Sequence, residues 1–363
     1  MPTYGALADA ILGVGVRPFA NGTGQPGWRG TQPNMWYRQS SFAKQHANLA
    51  EVLMAEGGEG KWVLEVGSFI GASAITWAKA SQKAGVKATL VAMDTWLGDV
   101  GFWQKKGKWL GPPDATTGEP RIFEQFMSNV VAAGVDHIVL PCRASALVGL
   151  RYLSQLIANQ KLSPPNTIYL DSAHEYPETV LELQAAWSVL GPGGYLIGDD
   201  FDRYWPSTQQ SVLEFVQRLG TEAFEPATLF ASSWPFRKVC RVATMVDARG
   251  ANTNPAASPI LLKNSQWILR KALVPARHQP AVDANSDAWP FWRKHFRCCL
   301  NRWADDNFTA CRPPRTYLQQ GTCNVYATTY SAASGDEGTL AGVRGVGRCK
   351  LFTCTSRRSS GER

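Results

Sequence analysis

The 363-residue chain has no apolar run long enough to cross a membrane, no C-x-x-C pair and only five histidines. A membrane-spanning helix needs about 20 consecutive apolar residues, so the first absence removes that class of protein. With no histidine at a zinc-finger interval from a cysteine pair, a structural zinc site is not expected. No basic residue precedes the apolar patch from Ala10 to Val16, so a secretory leader is not expected either, and the expected location is the cytoplasm. Cysteine is also scarce over most of the chain. Residues 1–245 hold Cys142 and Cys240, and the other six, Cys298, Cys299, Cys311, Cys323, Cys349 and Cys354, all fall later, where disulfide pairing stays open. Excess charge is missing from the same region. Residues 1–245 carry 20 Lys+Arg against 21 Asp+Glu, whereas Val246 to Arg363 carry 17 against 8, so the formal net charge of +8 belongs to the C-terminal part. That distribution removes the net charge as an argument for nucleic-acid binding by the first 245 residues.

A hydrophobic content of 44% with 18% charged residues describes a globular chain, long enough for one large α/β domain with extensions or for two domains. Residues 1–40, with Pro18, Gly22, Gly24, Pro26, Gly27, Gly30 and Pro33, suggest an irregular arm. From about Ser41 a helix through His46, Leu49, Leu53 and Met54 leads to a strand at Trp62–Val66. Helices over 72–84, 121–133, 146–159, 177–190 and 207–219 then alternate with strands over 89–93, 137–140, 167–170 and 195–197. Two last strands are expected near 228–230 and 236–244. This rhythm predicts a Rossmann-like, seven-stranded, mostly parallel sheet with helices on both faces, occupying residues 41–245. In the helix after Asp171, Tyr176, Val180, Leu183, Trp187 and Leu190 step by four, three, four and three, and so share one face. Beyond Val246 the pattern dissolves into a basic, cysteine-containing and partly disordered tail. One amphipathic stretch at 260–272 suggests a helix, and Trp289–Trp303 interleaves aromatics with Arg293, Lys294, Arg297 and Arg302. Such a mixture stacks on nucleic acid in some proteins, but more often it packs locally or stays disordered, so nucleic acid is not an expected partner.

The densest chemical signal is Trp62-Val63-Leu64-Glu65-Val66-Gly67-Ser68-Phe69-Ile70-Gly71-Ala72-Ser73, an apolar strand that delivers an acid and opens into a glycine turn. Its E-x-G-x-x-x-G spacing lacks the G-x-G-x-x-G of a dinucleotide fingerprint. An ordinary strand and turn with no ligand is one reading of it. The run resembles motif I of the class I S-adenosylmethionine-dependent methyltransferases, in the form seen in catechol-type O-methyltransferases. The L-x-P-G-G turn at Leu190 to Gly194, followed by a strand ending in Asp199-Asp200, is similar to the same family. The resemblance covers about 200 residues, 41–245, and rests on several motifs in order.

In an open α/β sheet, ligands bind beyond the carboxyl ends of the strands. Here those ends bring Glu65, Asp94, the segment Pro141 to Ser145, Asp171 with His174, and Asp199-Asp200. A carboxylate at Asp94 can accept both hydroxyls of a ribose, or simply cap the next helix. The resemblance gives it the ribose role, puts Gly67, Ser68 and Gly71 beside the methionine part of the cofactor with Glu65, and assigns Ser145 to the adenine. The run Asp94-Thr95-Trp96-Leu97-Gly98 also resembles a subgroup of small-molecule methyltransferases. Three carboxylates converging from neighbouring strand ends repel one another unless a cation or proton lies between them, and an all-oxygen set suits Mg2+ or a similar hard ion. Asp171, Asp199 and Asp200 match the three metal-ligand positions of the metal-dependent O-methyltransferases. His174 stands where catechol-type members carry a lysine base. It is read either as the proton acceptor, with Asp171, or as a residue that caps a helix or supports the metal. The alternative for the three acids is a metal-free crevice. The aromatic and lysine-rich insertion from Trp96 to Pro120, with Phe102, Trp103, Lys105, Lys106, Lys108 and Trp109, either lines an acceptor pocket or covers the sheet. The expectation is therefore a divalent-metal-assisted O-methyltransferase acting on a small hydroxylated acceptor, with a homodimer as the assembly to test. An oxygenase-like hydroxylase and a catalytically inactive binding protein of the same fold are the alternatives.

Overall fold

A computed structural model describes residues 3–19, 31–33, 49–54, 56, 62–99, 103, 114, 116–202, 204–235, 238, 240–243, 258–273, 318–322 and 348–350. The chain divides into two units, Met1–Gln279 and Pro280–Arg363. The first begins with helix α1 (Tyr4–Ile11), then strand β1 (Trp62–Val66), α2 (Ala72–Lys83), β2 (Thr89–Asp94), α3 (Ile122–Ala132) and β3 (Val139–Arg143). It continues with α4 (Ala146–Ala158), β4 (Thr167–Leu170), α5 (Glu178–Val189), β5 (Tyr195–Gly198), α6 (Pro206–Leu219) and the short α7 (Ala227–Phe230). Three strands close it: β6 (Arg241–Val242), β7 (Leu261–Lys263) and β8 (Gln266–Arg270). In the second unit, β9 (Leu318–Thr322) pairs antiparallel with β10 (Arg348–Lys350).

The eight strands of the first unit lie in the order β3-β2-β1-β4-β5-β8-β7-β6. The first five are mutually parallel and the last three join by antiparallel pairing. Chain order runs outward in opposite directions from β1 and β4, so the topological switch point lies between those two strands, where open α/β sheets bind ligands. Register places Glu65 of β1 between Ala92 of β2 and Tyr169 of β4. Because the strands are parallel, the residues that follow β1, β2, β4 and β5 leave the sheet along one edge.

Side chains alternate across the sheet, as a period of two requires. Val63, Leu90, Ala92, Tyr169 and Ile197 pack on one face with Trp77 of α2 and Phe126 of α3. Leu64, Val66, Val91, Met93, Ile168 and Leu196 pack on the other with α4, α5 and α6 through Leu150, Leu153, Leu183, Trp187, Val212 and Phe215. Val180, Leu183, Trp187 and Leu190 are all buried, as the helical periodicity of that segment requires.

Four expectations change. The arm over 1–40 is not wholly irregular: Thr3 caps α1 by accepting the Ala6 N–H, and Leu7, Ala8 and Ile11 are buried. The strand expected at 228–230 is the short helix α7, and among the described residues of 236–244 the strand is Arg241–Val242. The stretch 260–272, expected as a helix, is the hairpin β7–β8, turned by Asn264 at φ +57° and Ser265. Its apolar residues are buried on both faces of the sheet, so they run together without alternating, and a short continuous run of this kind does not distinguish strand from helix. The sheet therefore has eight strands rather than seven and continues past residue 246. The onset of the first helix at 41–48, most of the 96–120 insertion, the segment 289–303 and most of the tail cysteines lie outside the described residues. No helix among the described residues is long and apolar enough to cross a membrane.

Candidate functional site at the carboxyl edge of the sheet

The turn after β1 is fixed by close backbone packing. Gly67 has φ +91°, and a Cβ there would lie 2.1 Å from the Asp171 carbonyl oxygen, so only glycine lets this turn sit against the end of β4. Gly71, also at φ +91°, starts α2 with its Cα facing the ring of Phe126, which a Cβ would meet at 3.0 Å. Glu65 is fully buried beneath this turn. The Ser68 hydroxyl donates to its Oε2 at 2.6 Å, while Oε1 is buried with no partner. Burial pushes the Glu65 carboxyl up to about 8, against the pull of the Ser68 bond and the nearby Ser73 side chain, and the charges of Asp171 and Asp94 add to the rise.

Asp94 ends β2 and joins two loops. Its Oδ2 accepts the Phe69 N–H at 2.8 Å and its Oδ1 accepts the Trp96 N–H at 2.7 Å. Burial raises its pKa against these backbone bonds. The Ser68 and Thr95 N–H groups act on the same carboxylate, so backbone donors surround it from both loops. Ser145 is exposed, directly before the first turn of α4, next to Ala144, whose N–H bonds the Asp94 carbonyl at 3.0 Å.

Beyond β4 and β5 stands the charged cluster. His174 Nε2 lies 2.7 Å from Asp200 Oδ2 and 3.6 Å from Asp171 Oδ1, and its ring stacks on Trp205 with centroids 4.5 Å apart. The loop carrying His174 is tied down by the Ser207 hydroxyl, which donates to the His174 carbonyl. Ser172 and the Ala173 N–H both bond Glu182 of α5, a buried carboxyl that burial lifts to about 7. Burial pulls the His174 pKa down, but hydrogen bonds and charge from Asp171 and Asp200 outweigh it and hold it up at about 10. The imidazole is therefore charged at neutral pH in this arrangement, and does not titrate near neutrality as the sequence suggested. Burial raises Asp171 to about 6, with His174 opposing the rise and Asp199 and Asp200 adding to it.

Of the three acids expected as metal ligands, the structure brings two together with the histidine. Ligand atoms of Asp171, His174 and Asp200 all lie within 4.8 Å of one another. Asp199 is engaged by the fold: its Oδ1 accepts from the Ser265 hydroxyl and the Asp200 N–H, and Tyr169 donates to Oδ2 at 3.4 Å. Two carboxylates and one imidazole are a donor set that fits a divalent cation, provided the histidine gives up its proton. Sequence reasoning missed Trp205, Glu182 and Ser265. The first two carried no motif, and Ser265 lies in a hairpin expected as a helix.

Residues 64–201 match the family model described as a methyltransferase domain. The match covers well under half of the chain, and the strand order of the first unit is consistent with it. Among solved structures, the chain is similar to an O-methyltransferase from Bacillus cereus in complex with SAH, at 16% identity and a TM-score of 0.37 over 62% of this chain and 80% of that one. It is also similar to the O-methyltransferase TomG from Streptomyces achromogenes, involved in tomaymycin synthesis and solved with SAM, at 16% identity and a TM-score of 0.39 over 67% and 92% of the two chains. Likenesses this loose do not bear on the chemistry of the chain. No curated protein matches the sequence.

Proposed function

We propose that the domain transfers the methyl group of S-adenosylmethionine to a hydroxyl oxygen of a small molecule at the carboxyl edge of the sheet. The observation that carries this reading is the Asp171–His174–Asp200 cluster, a titratable group of mixed charge just past the turn that a sulfonium cofactor would occupy. In the proposal, Asp94 accepts the ribose hydroxyls, Gly67, Ser68 and Gly71 border the methionine part, Glu65 supports the turn from below and Ser145 borders the adenine.

A sulfonium methyl is already activated, so the protein has mainly to align the acceptor oxygen behind it and take up the acceptor proton. The oxygen forms a bond to the methyl carbon, the S–CH3 bond breaks with its electron pair going to sulfur, and the hydroxyl proton leaves. Asp171, held near 6, is ionised and basic enough at neutral pH to receive that proton. The imidazolium of His174 donates to the oxygen as it develops charge, and Asp200 and the Trp205 face keep the ring in place. With a divalent cation bound instead, Asp171, Asp200 and neutral His174 would be its donors, and it would supply Lewis acidity that lowers the hydroxyl pKa in place of the imidazolium hydrogen bond.

The hydroxylase reading gains nothing from this cluster. A non-haem iron triad uses two histidines and one carboxylate, and His174 is the one histidine among the described residues of the cluster. The test is incubation with labelled S-adenosylmethionine and a panel of phenols, sugars and polyols, with and without chelator and with Mg2+ restored, scored by mass spectrometry. Methyl transfer to an oxygen supports the reading, and its loss on chelation assigns the cation. Oxygen consumption without methyl transfer contradicts it.

A further inference from the structure

Among the non-glycine residues at positive φ are Phe69 at +45° and Trp96 at +54°, and these two hold each other. Aromatic residues rarely adopt this left-handed backbone, and it persists only where the surroundings fix it. Here the surroundings are a closed ring of bonds. The Phe69 N–H and the Trp96 N–H donate to the two oxygens of Asp94, and the Trp96 indole Nε1–H donates back to the Phe69 carbonyl at 2.7 Å. The indole is 1% exposed and lies against Phe123 and Phe126, with ring centroids 4.9 and 4.8 Å away. Phe126 is also the ring that abuts Gly71, and Asn129, one turn further along α3, donates to the Ile70 carbonyl at 2.8 Å. The turn after β1 and the loop after β2 are thus one clasp, closed by a single indole N–H.

We infer that Trp96 is a positioning residue for the cofactor: it joins the turn after β1 to the loop after β2 and so sets the affinity for S-adenosylmethionine before any ligand arrives. This rests on the proposal that the two loops flank the cofactor. A free Phe69 carbonyl lets the turn leave its left-handed conformation, and Asp94 then loses the Phe69 N–H, one of the backbone donors that aim it. The cofactor has to restore that order on binding, which lowers its affinity. The indole bond is dispensable for the core, because a phenyl ring in its place still packs on Phe123 and Phe126.

The test is isothermal titration of S-adenosylhomocysteine into the full chain and into Trp96→Phe, with thermal melting of both. One neutral hydrogen bond is worth enough to predict a five- to tenfold weaker Kd for the variant, measured on protein that melts well above the titration temperature. A variant that binds as tightly as the wild type, whatever its melting point, overturns the inference and reduces Trp96 to a core residue. If the wild type itself does not bind S-adenosylhomocysteine, the cofactor reading has failed and takes the inference with it. Should Trp96→Phe not fold, hydrogen exchange of the wild type serves in its place. Slow exchange of the Phe69 and Trp96 amides in the ligand-free protein supports the inference, and exchange that slows only when S-adenosylhomocysteine is added overturns it.

Discussion

Replacing Glu65 with glutamine tests the electrostatics of the buried turn directly. The carboxyl is fully buried, with one oxygen bonded to Ser68 and the other without a partner, and burial lifts it from its ordinary 4.5 to about 8. Between those two values the native protein holds a proton that the unfolded chain has released, so stability falls as pH rises across this window. One proton of difference gives a slope of about 1.4 kcal/mol per pH unit, or about 2.7 kcal/mol between pH 5 and pH 7. Glutamine has the same shape and its carbonyl can keep the Ser68 bond, but it does not titrate. Burying its amide N–H groups costs about 1–3 kcal/mol at every pH. Urea unfolding of wild type and Glu65→Gln at pH 5, 6 and 7 should therefore show the glutamine variant less stable at pH 5, with the gap closing by about 2–3 kcal/mol at pH 7. Glu182 and Asp171, which burial also raises, and His174, which its carboxylates hold up, contribute slopes of the same sign to both proteins and cancel in the difference. A gap that stays constant with pH would refute the claim that Glu65 is protonated in the native state.

Gly67→Ala should cost about 3 kcal/mol or more in urea unfolding, because its Cβ would overlap the Asp171 carbonyl in a backbone at φ +91°; a loss below 1 kcal/mol contradicts the packing described. Methyl transfer should rise with pH through about 6 as Asp171 ionises, and the rising limb should vanish in Asp171→Asn; a limb that survives the change assigns the base elsewhere. Asp200→Asn removes one of the two charges holding His174 up, so an NMR titration of the imidazole should show its pKa fall by at least one unit, and an unmoved value would break the link between the pair.

Much of this architecture was legible in the chain. The strands from Trp62 to Ile197 are short apolar runs between amphipathic helices, and the α5 face formed by Val180, Leu183, Trp187 and Leu190 follows from helical spacing alone. The acids at the strand ends follow from the parallel order, since each must leave the sheet along the same edge. What stayed hidden depended on tertiary context. The β7–β8 hairpin reads as a helix because Leu261, Leu262, Ile268 and Leu269 are buried on both sides and show no alternation. Helix α1 is two turns long, and its Thr3 cap is a weak local signal in a segment of glycine and proline. Asp199 and Asp200 are neighbours in sequence, yet only Asp200, with φ +62°, turns to His174, while Asp199 takes the Ser265 hydroxyl from a hairpin turn more than sixty residues away. The charge on His174 was out of reach for the same reason, because it depends on the distances to two carboxylates.

The account stands or falls on where the cofactor lies. A crystal structure of the full chain with S-adenosylhomocysteine should show the ribose on Asp94, the amino-acid end along Gly67–Gly71, and the sulfur facing the Asp171–His174–Asp200 cluster. A ligand bound away from Asp94, or with its sulfur turned from His174, would contradict it.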